Sequence, residues 1–128
     1  MLRIALFCSL VCAMPALADG NAERGRALML EPQKSLCVLC HAGPFPELPF
    51  TGTLGPDLSD VGARLDLEEI RARIIDSRDF NPDTIMPPFM SPDGLNRVGE
   101  RWEATTILTE QEVDDIAAFL DSLKGDEP

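Results

Sequence analysis

Tyrosine is absent from this chain, tryptophan and histidine occur once each, and aromatic residues make up only 5% of its 128 positions. With so little flat apolar surface of its own, the core must rest on aliphatic side chains or on something added to the chain. The lone histidine, His41, excludes any site that needs two imidazoles from one chain. Basic residues are scarce as well: 11 Lys and Arg stand against 22 Asp and Glu, for a net charge of −11. Such a surface is repelled by nucleic-acid phosphates and by anionic lipid headgroups, which argues against both as partners. It suits solubility and a partner with a basic docking face, although a solvated surface accounts for it equally well. Nor does any apolar run reach the roughly 20 residues that a membrane-spanning helix takes.

The apolar run that does occur lies at the start. Arg3 precedes it, it covers residues 4–17, and Ala16-Leu17-Ala18 follows the small-x-small pattern of a cleavage site. This is the pattern of a secretory signal peptide occupying residues 1–18, with export to the periplasm and a mature domain over residues 19–128. A lipoprotein anchor at Cys12 is rejected, because Ser9-Leu10-Val11 lacks the small residue such a site wants. Cleavage removes Arg3, leaving 10 basic against 22 acidic residues and a net −12. It also removes Cys8 and Cys12. Only Cys37 and Cys40 survive, too few for a disulfide framework.

Three stretches carry helical periodicity. The first covers residues 21–30, with Ala22, Ala27, Leu28 and Met29 as its apolar content and Pro32 to stop it. Gly25 inside it costs about 1 kcal/mol relative to alanine, which points to a close backbone contact. The second follows Asp66, with Glu69 three residues on and Ile70 and Ile74 on one face. The third opens on a Thr109/Glu112 capping box, lines up Val113, Ile116, Ala117, Leu120 and Leu123, and is expected to end at Gly125. Between them run two proline-rich loops, residues 41–63 and 79–108. Loops of that length are rare in compact domains unless they wrap something. No strand pattern or internal repeat is present, so the expected class is all-α, few helices joined by long ordered loops.

Chemistry concentrates in Cys37-Val38-Leu39-Cys40-His41. Two thiols one helical turn apart can add across the two vinyl groups of a haem, and the histidine that follows can then reach the iron. A thioredoxin-like thiol pair would need a strand-helix-strand context that the sequence does not show. Structural zinc needs four ligands, and the mature chain has three Cys and His in all. Haem attachment through Cys37, Cys40 and His41 is therefore the expected chemistry. The absence of a second histidine leaves methionine, another side chain or nothing as sixth ligand. Met29 is assigned to core packing. Met86, stiffened by Pro87-Pro88, is preferred to Met90, whose alternative role is loop packing. A loop carbonyl is expected to fix the histidine ring, with Pro56 in Gly55-Pro56-Asp57-Leu58 as its source, against an ordinary Gly-Pro turn. Arg97, Arg101 and Trp102 are candidate propionate partners.

Cys37 to His41, the Gly55-Pro56-Asp57-Leu58 loop and Met86-Pro87 resemble class I cytochromes c. That resemblance implies terminal helices that cross, with Gly25 near Phe119. A narrower likeness covers most of the mature chain. Ala63-Arg64-Leu65, Arg71-Ala72-Arg73-Ile74-Ile75-Asp76, Asn81-Pro82-Asp83-Thr84-Ile85-Met86-Pro87-Pro88-Phe89, Gly94-Leu95-Asn96-Arg97-Val98 and Ile107-Leu108-Thr109 resemble SoxX, the monohaem subunit family of the SoxAX cytochromes. The likeness implies a SoxA-like partner subunit and thiosulfate joined oxidatively to a cysteine of the carrier protein SoxYZ. Electrons would then pass to a soluble cytochrome c. It also implies Met86 as iron ligand. The chain alone would have no turnover, serving instead as the electron-transfer subunit of an L-cysteine S-thiosulfotransferase. A free-standing periplasmic cytochrome c shuttle and a thiol-disulfide oxidoreductase are the competing readings.

Overall fold

The computed structural model describes residues 19–125; the expected signal peptide, residues 1–18, and residues 126–128 lie outside the described residues. Five α-helices follow in order: α1 (Ala22–Leu30), α2 (Cys37–Cys40), α3 (Val61–Arg64), α4 (Leu67–Ile75) and α5 (Glu110–Ser122). Single 3₁₀ turns at Ser77–Asp79 and Glu100–Trp102 punctuate the second long loop. No strand forms among the described residues.

Each main helix starts where a side chain can satisfy free backbone donors. Asn21 accepts from the Arg24 N–H at 2.8 Å, and Asp66 from the Glu69 N–H at 2.8 Å. The Thr109/Glu112 box is reciprocal: the Glu112 N–H donates to Thr109 Oγ1 at 3.3 Å, and the Thr109 N–H donates to Glu112 Oε2 at 2.8 Å. The end of α5 departs from expectation. The helix stops at Ser122 rather than Gly125, because Leu123 turns extended and its carbonyl takes the Gly62 N–H at 2.8 Å. A bond to α3 thus replaces one more turn of helix.

The crossing of α1 and α5 organises the rest. A Cβ at Gly25 would overlap the Asp115 carbonyl, so only glycine lets the two backbones meet. The nearest atoms of α5 are those of Asp115 and Ile116, one turn before Phe119. Asp115 itself, 2% exposed, clamps the junction. It accepts from the Asn21 N–H at 2.7 Å, from Arg24 at 2.8 and 2.9 Å, and from Gln111 at 3.0 Å. Burial alone would push its carboxyl up; these donors more than offset that and hold it below the usual range. On the inner side of α5, Val113, Ile116, Ala117, Phe119 and Leu120 are buried against Met29, Ile70, Ile74 and Leu108. Met29 is core, as its helical position predicts. Phe45, from the first loop, reaches the same core with its ring centroid 6.2 Å from that of Phe119.

Candidate haem-attachment site

The attachment segment begins with a backbone reversal. Leu36 adopts a left-handed conformation (φ 57°), which launches the single turn Cys37–Cys40 away from the end of α1. Ser35, wholly buried, braces this corner by donating its hydroxyl to the Leu28 carbonyl at 2.8 Å. In one helical turn, positions three apart share a face, so both thiols point the same way. The chain then leaves in an extended conformation at His41, whose N–H still closes the turn on the Cys37 carbonyl at 2.9 Å.

The following loop doubles back and laces itself to this turn. The Gly52 N–H donates to Val38 at 2.9 Å, the Gly55 N–H to Cys40 at 2.7 Å and the Leu58 N–H to Ala42 at 2.9 Å. This brings the Pro56 carbonyl to 2.7 Å from His41 Nδ1. A carbonyl can only accept, so Nδ1 carries a proton, and in the neutral ring that tautomer leaves the lone pair on Nε2. Gly55 packs its Cα directly on the imidazole; a side chain there would occupy the space of the ring. The ring is thus oriented from two directions before any metal is considered.

Both cysteines are free thiols and half-buried. Burial pushes the Cys37 thiol up, with its S–H directed at the Ser35 carbonyl at 3.8 Å. A thioredoxin-like thiol pair needs a strand-helix-strand context, and no strand forms among the described residues. No group of three or more His, Cys, Asp or Glu able to hold a metal ion exists among the described residues. What is present is a donor set for a haem: two thiols one helical turn apart and an imidazole whose Nδ1 is engaged by Pro56, leaving Nε2 to face a metal.

Comparison with known proteins agrees with that donor set. The cytochrome c family model matches residues 22–124. The chain belongs to the cytochrome c family. It is similar to a chain in the crystal structure of SoxXA from P. pantotrophus, with 33% identity, a TM-score of 0.76, and coverage of 84% of this chain and 85% of that one. It also shares its fold with the c-type cytochrome SorU from Sinorhizobium meliloti, at 24% identity and a TM-score of 0.51, over 81% of this chain and 91% of that one. No curated protein matches. The chain is thus a SoxX-like electron-transfer cytochrome of class I fold that carries covalently bound haem c.

Within this cytochrome the two methionine candidates stand in different surroundings. Met90 is tied into backbone pairing: its N–H donates to Ile75 at 3.2 Å, next to Phe89, whose carbonyl takes the Ile107 and Leu108 N–H groups at 3.1 and 3.2 Å. Met86 precedes two prolines that have no N–H, and its own N–H reaches only the Thr84 hydroxyl at 3.2 Å. Both side chains are half-buried against the core. Arg101 lies over the Trp102 ring at 5.1 Å, and Arg97 is exposed in a left-handed conformation (φ 58°). Sequence reasoning missed Ser35, Gly52 and Asp115. Serine, glycine and aspartate are common in loops and helices, and nothing local marks these three as buried or pressed against another backbone. Gly55 could have been found, since a glycine before the proline that faces the histidine has to pass the ring.

Proposed function

We propose that this cytochrome is the electron-transfer subunit of a periplasmic SoxAX-type complex, exported after removal of residues 1–18. In this reading Cys37 and Cys40 would hold the haem through two thioether bonds, and His41 and Met86 would be its iron ligands. A haem held there would supply one-electron chemistry. The observation that carries the site is the 2.7 Å bond from His41 Nδ1–H to the Pro56 carbonyl, which leaves Nε2 as the ligating nitrogen and holds the ring against rotation. Gly55 behind the ring enforces the same orientation sterically. A Met86 thioether paired with the His41 imidazole as iron ligand would raise the potential, which suits an acceptor of electrons. The partner reading is supported by the 33% likeness to a chain of a SoxXA structure. Electrons would come from the oxidative joining of thiosulfate to a cysteine of SoxYZ, and leave to a soluble cytochrome c.

The test is deletion followed by complementation. Loss of the gene is expected to abolish thiosulfate oxidation, and the wild-type chain, but not a Cys37→Ala/Cys40→Ala chain, to restore it. Unimpaired thiosulfate oxidation in the deletion strain would favour an independent shuttle instead.

A further inference from the structure

Arg78 stands where the chain leaves α4 for the long second loop, in the 3₁₀ turn Ser77–Asp79. Its guanidinium holds both limbs of that loop at once. On the outgoing limb, Nε donates to Asp76 Oδ1 at 2.7 Å and Nη2 donates to Asp76 Oδ2. On the returning limb, Nη1 donates to the Asp93 carbonyl at 2.8 Å. Gly94, left-handed at φ 81°, lies against the same nitrogen, and a Cβ there would come within 3.1 Å of it. The segment closed off in this way contains Met86.

The backbone bonds that join the two limbs are long: the Phe89 N–H to the Ile74 carbonyl at 3.4 Å, and the Met90 N–H to Ile75 at 3.2 Å. Pro87, Pro88 and Pro92 have no N–H and can add none. The N–H groups of Asn81, Asp83, Thr84 and Met86 bond within the outgoing limb itself, to Ser77, Asn81 and Thr84. Arg78 is therefore the firmest link across the base. Its planar fork offers donors in fixed directions, so one side chain can take a carboxylate bidentately and still reach a carbonyl elsewhere. Bonds of this charge-assisted kind are about twice as strong as neutral ones. Asp76 is only 17% exposed, so salt screens the pair less than it would a fully solvated one. Joining positions 15 apart also removes many of the conformations open to the chain between them.

We infer that Arg78 is the positioning residue for Met86: by clasping Asp76 and the Asp93 carbonyl together it closes the loop and presents the thioether to the haem site. It acts through the loop rather than on the ligand itself. The inference rests on the reading of Met86 as iron ligand given above.

The test uses the haem-loaded protein and added imidazole, which can bind the iron only when Met86 has left it. The apparent affinity for imidazole then scales with the fraction of molecules whose loop is open. Arg78→Gln removes the clasp from one side. Asp76→Ser removes it from the other, with a hydroxyl that can still cap the 3₁₀ turn. The two variants change the charge in opposite directions. Both are expected to bind imidazole about tenfold more tightly than wild type, as the loss of a charge-assisted bond implies. Both should also lose the methionine–iron charge-transfer band at a lower temperature. Arg71→Gln breaks a similarly exposed ion pair, to Asp114 on α5, and should bind imidazole as wild type does. If one clasp variant fails to fold, the other carries the test alone. Wild-type affinity in a folded clasp variant would overturn the inference while leaving Met86 as ligand. So would shifts of opposite sign, the mark of a charge effect, or equal tightening in Arg71→Gln, the mark of general loosening. A charge-transfer band that survives in Met86→Ala would overturn the ligand reading, and the clasp with it.

Discussion

The helix crossing and the methionine loop are built on opposite plans. At the crossing, Gly25 brings two backbones into contact, Asp115 binds three separate donors, and a continuous apolar face is buried beneath. Around Met86, the chain is held at its ends. Phe89 and Met90 pair with the end of α4 and with Ile107–Leu108, and Arg78 reaches Asp93 at 2.8 Å, but Met86 itself has one bond to Thr84. Ile85 beside it is largely exposed. The crossing is over-determined by protein contacts alone. The proposed bond from Met86 to iron would add support to a stretch that has little of its own. A cytochrome so arranged can tune the ligand side without endangering the fold.

The comparison breaks if residues at the crossing change the spectrum, or if residues in the loop govern global stability. Gly25→Val should have the largest effect, since the new side chain meets backbone that cannot yield; about 3 kcal/mol or more of stability should be lost in denaturant titration. The haem spectrum of the remaining folded protein should be unchanged. Asp115→Ala should cost about 2 kcal/mol, as the Asn21 N–H, Arg24 and Gln111 lose their acceptor, moderated by the exposure of Arg24.

The same carboxylate gives a pH dependence of fixed sign. Its folded value lies below the roughly 3.9 of an unfolded aspartate, so its contribution is complete above that value and is lost as pH falls through the folded one. Asp57, Asp76, Glu47 and Glu112 are held low as well, so Asp115→Asn should make acid unfolding below about pH 4 shallower without abolishing it. A melting series across pH reads this directly.

In the loop, Met86→Ala should remove the methionine–iron charge-transfer band and lower the reduction potential. Amide exchange should quicken over residues 80–88 and stay slow in α1 and α5. Met90→Ala should have the smallest effect, keeping the band and losing about 1 kcal/mol with its half-buried side chain. If the band instead follows Met90, the ligand assignment moves by one helical turn's worth of chain, and the backbone pairing of Phe89–Met90 becomes the ligand support.

What could be read from the sequence was local. Asp66 and the Thr109/Glu112 box act within three residues of themselves, and their helices begin where they place them. The attachment motif is local too, and its spacing alone states the chemistry. The α5 stop at Ser122 and the Asp115 clamp rest on partners far along the chain; Asn21 and Asp115 are 94 positions apart. An aspartate in an acidic helix carries no sign that it will be the buried one. Pro56 lay between these cases: the turn was visible, and the lacing of residues 52–58 onto 38–42 is what delivers its carbonyl to His41.

Peptide mass analysis of the purified, digested protein tests the central claim most directly. The account expects the peptide containing Cys37, Cys40 and His41 to carry one haem, with neither thiol open to alkylation. Two alkylatable thiols, or a Cys37–Cys40 disulfide on a haem-free peptide, would contradict it.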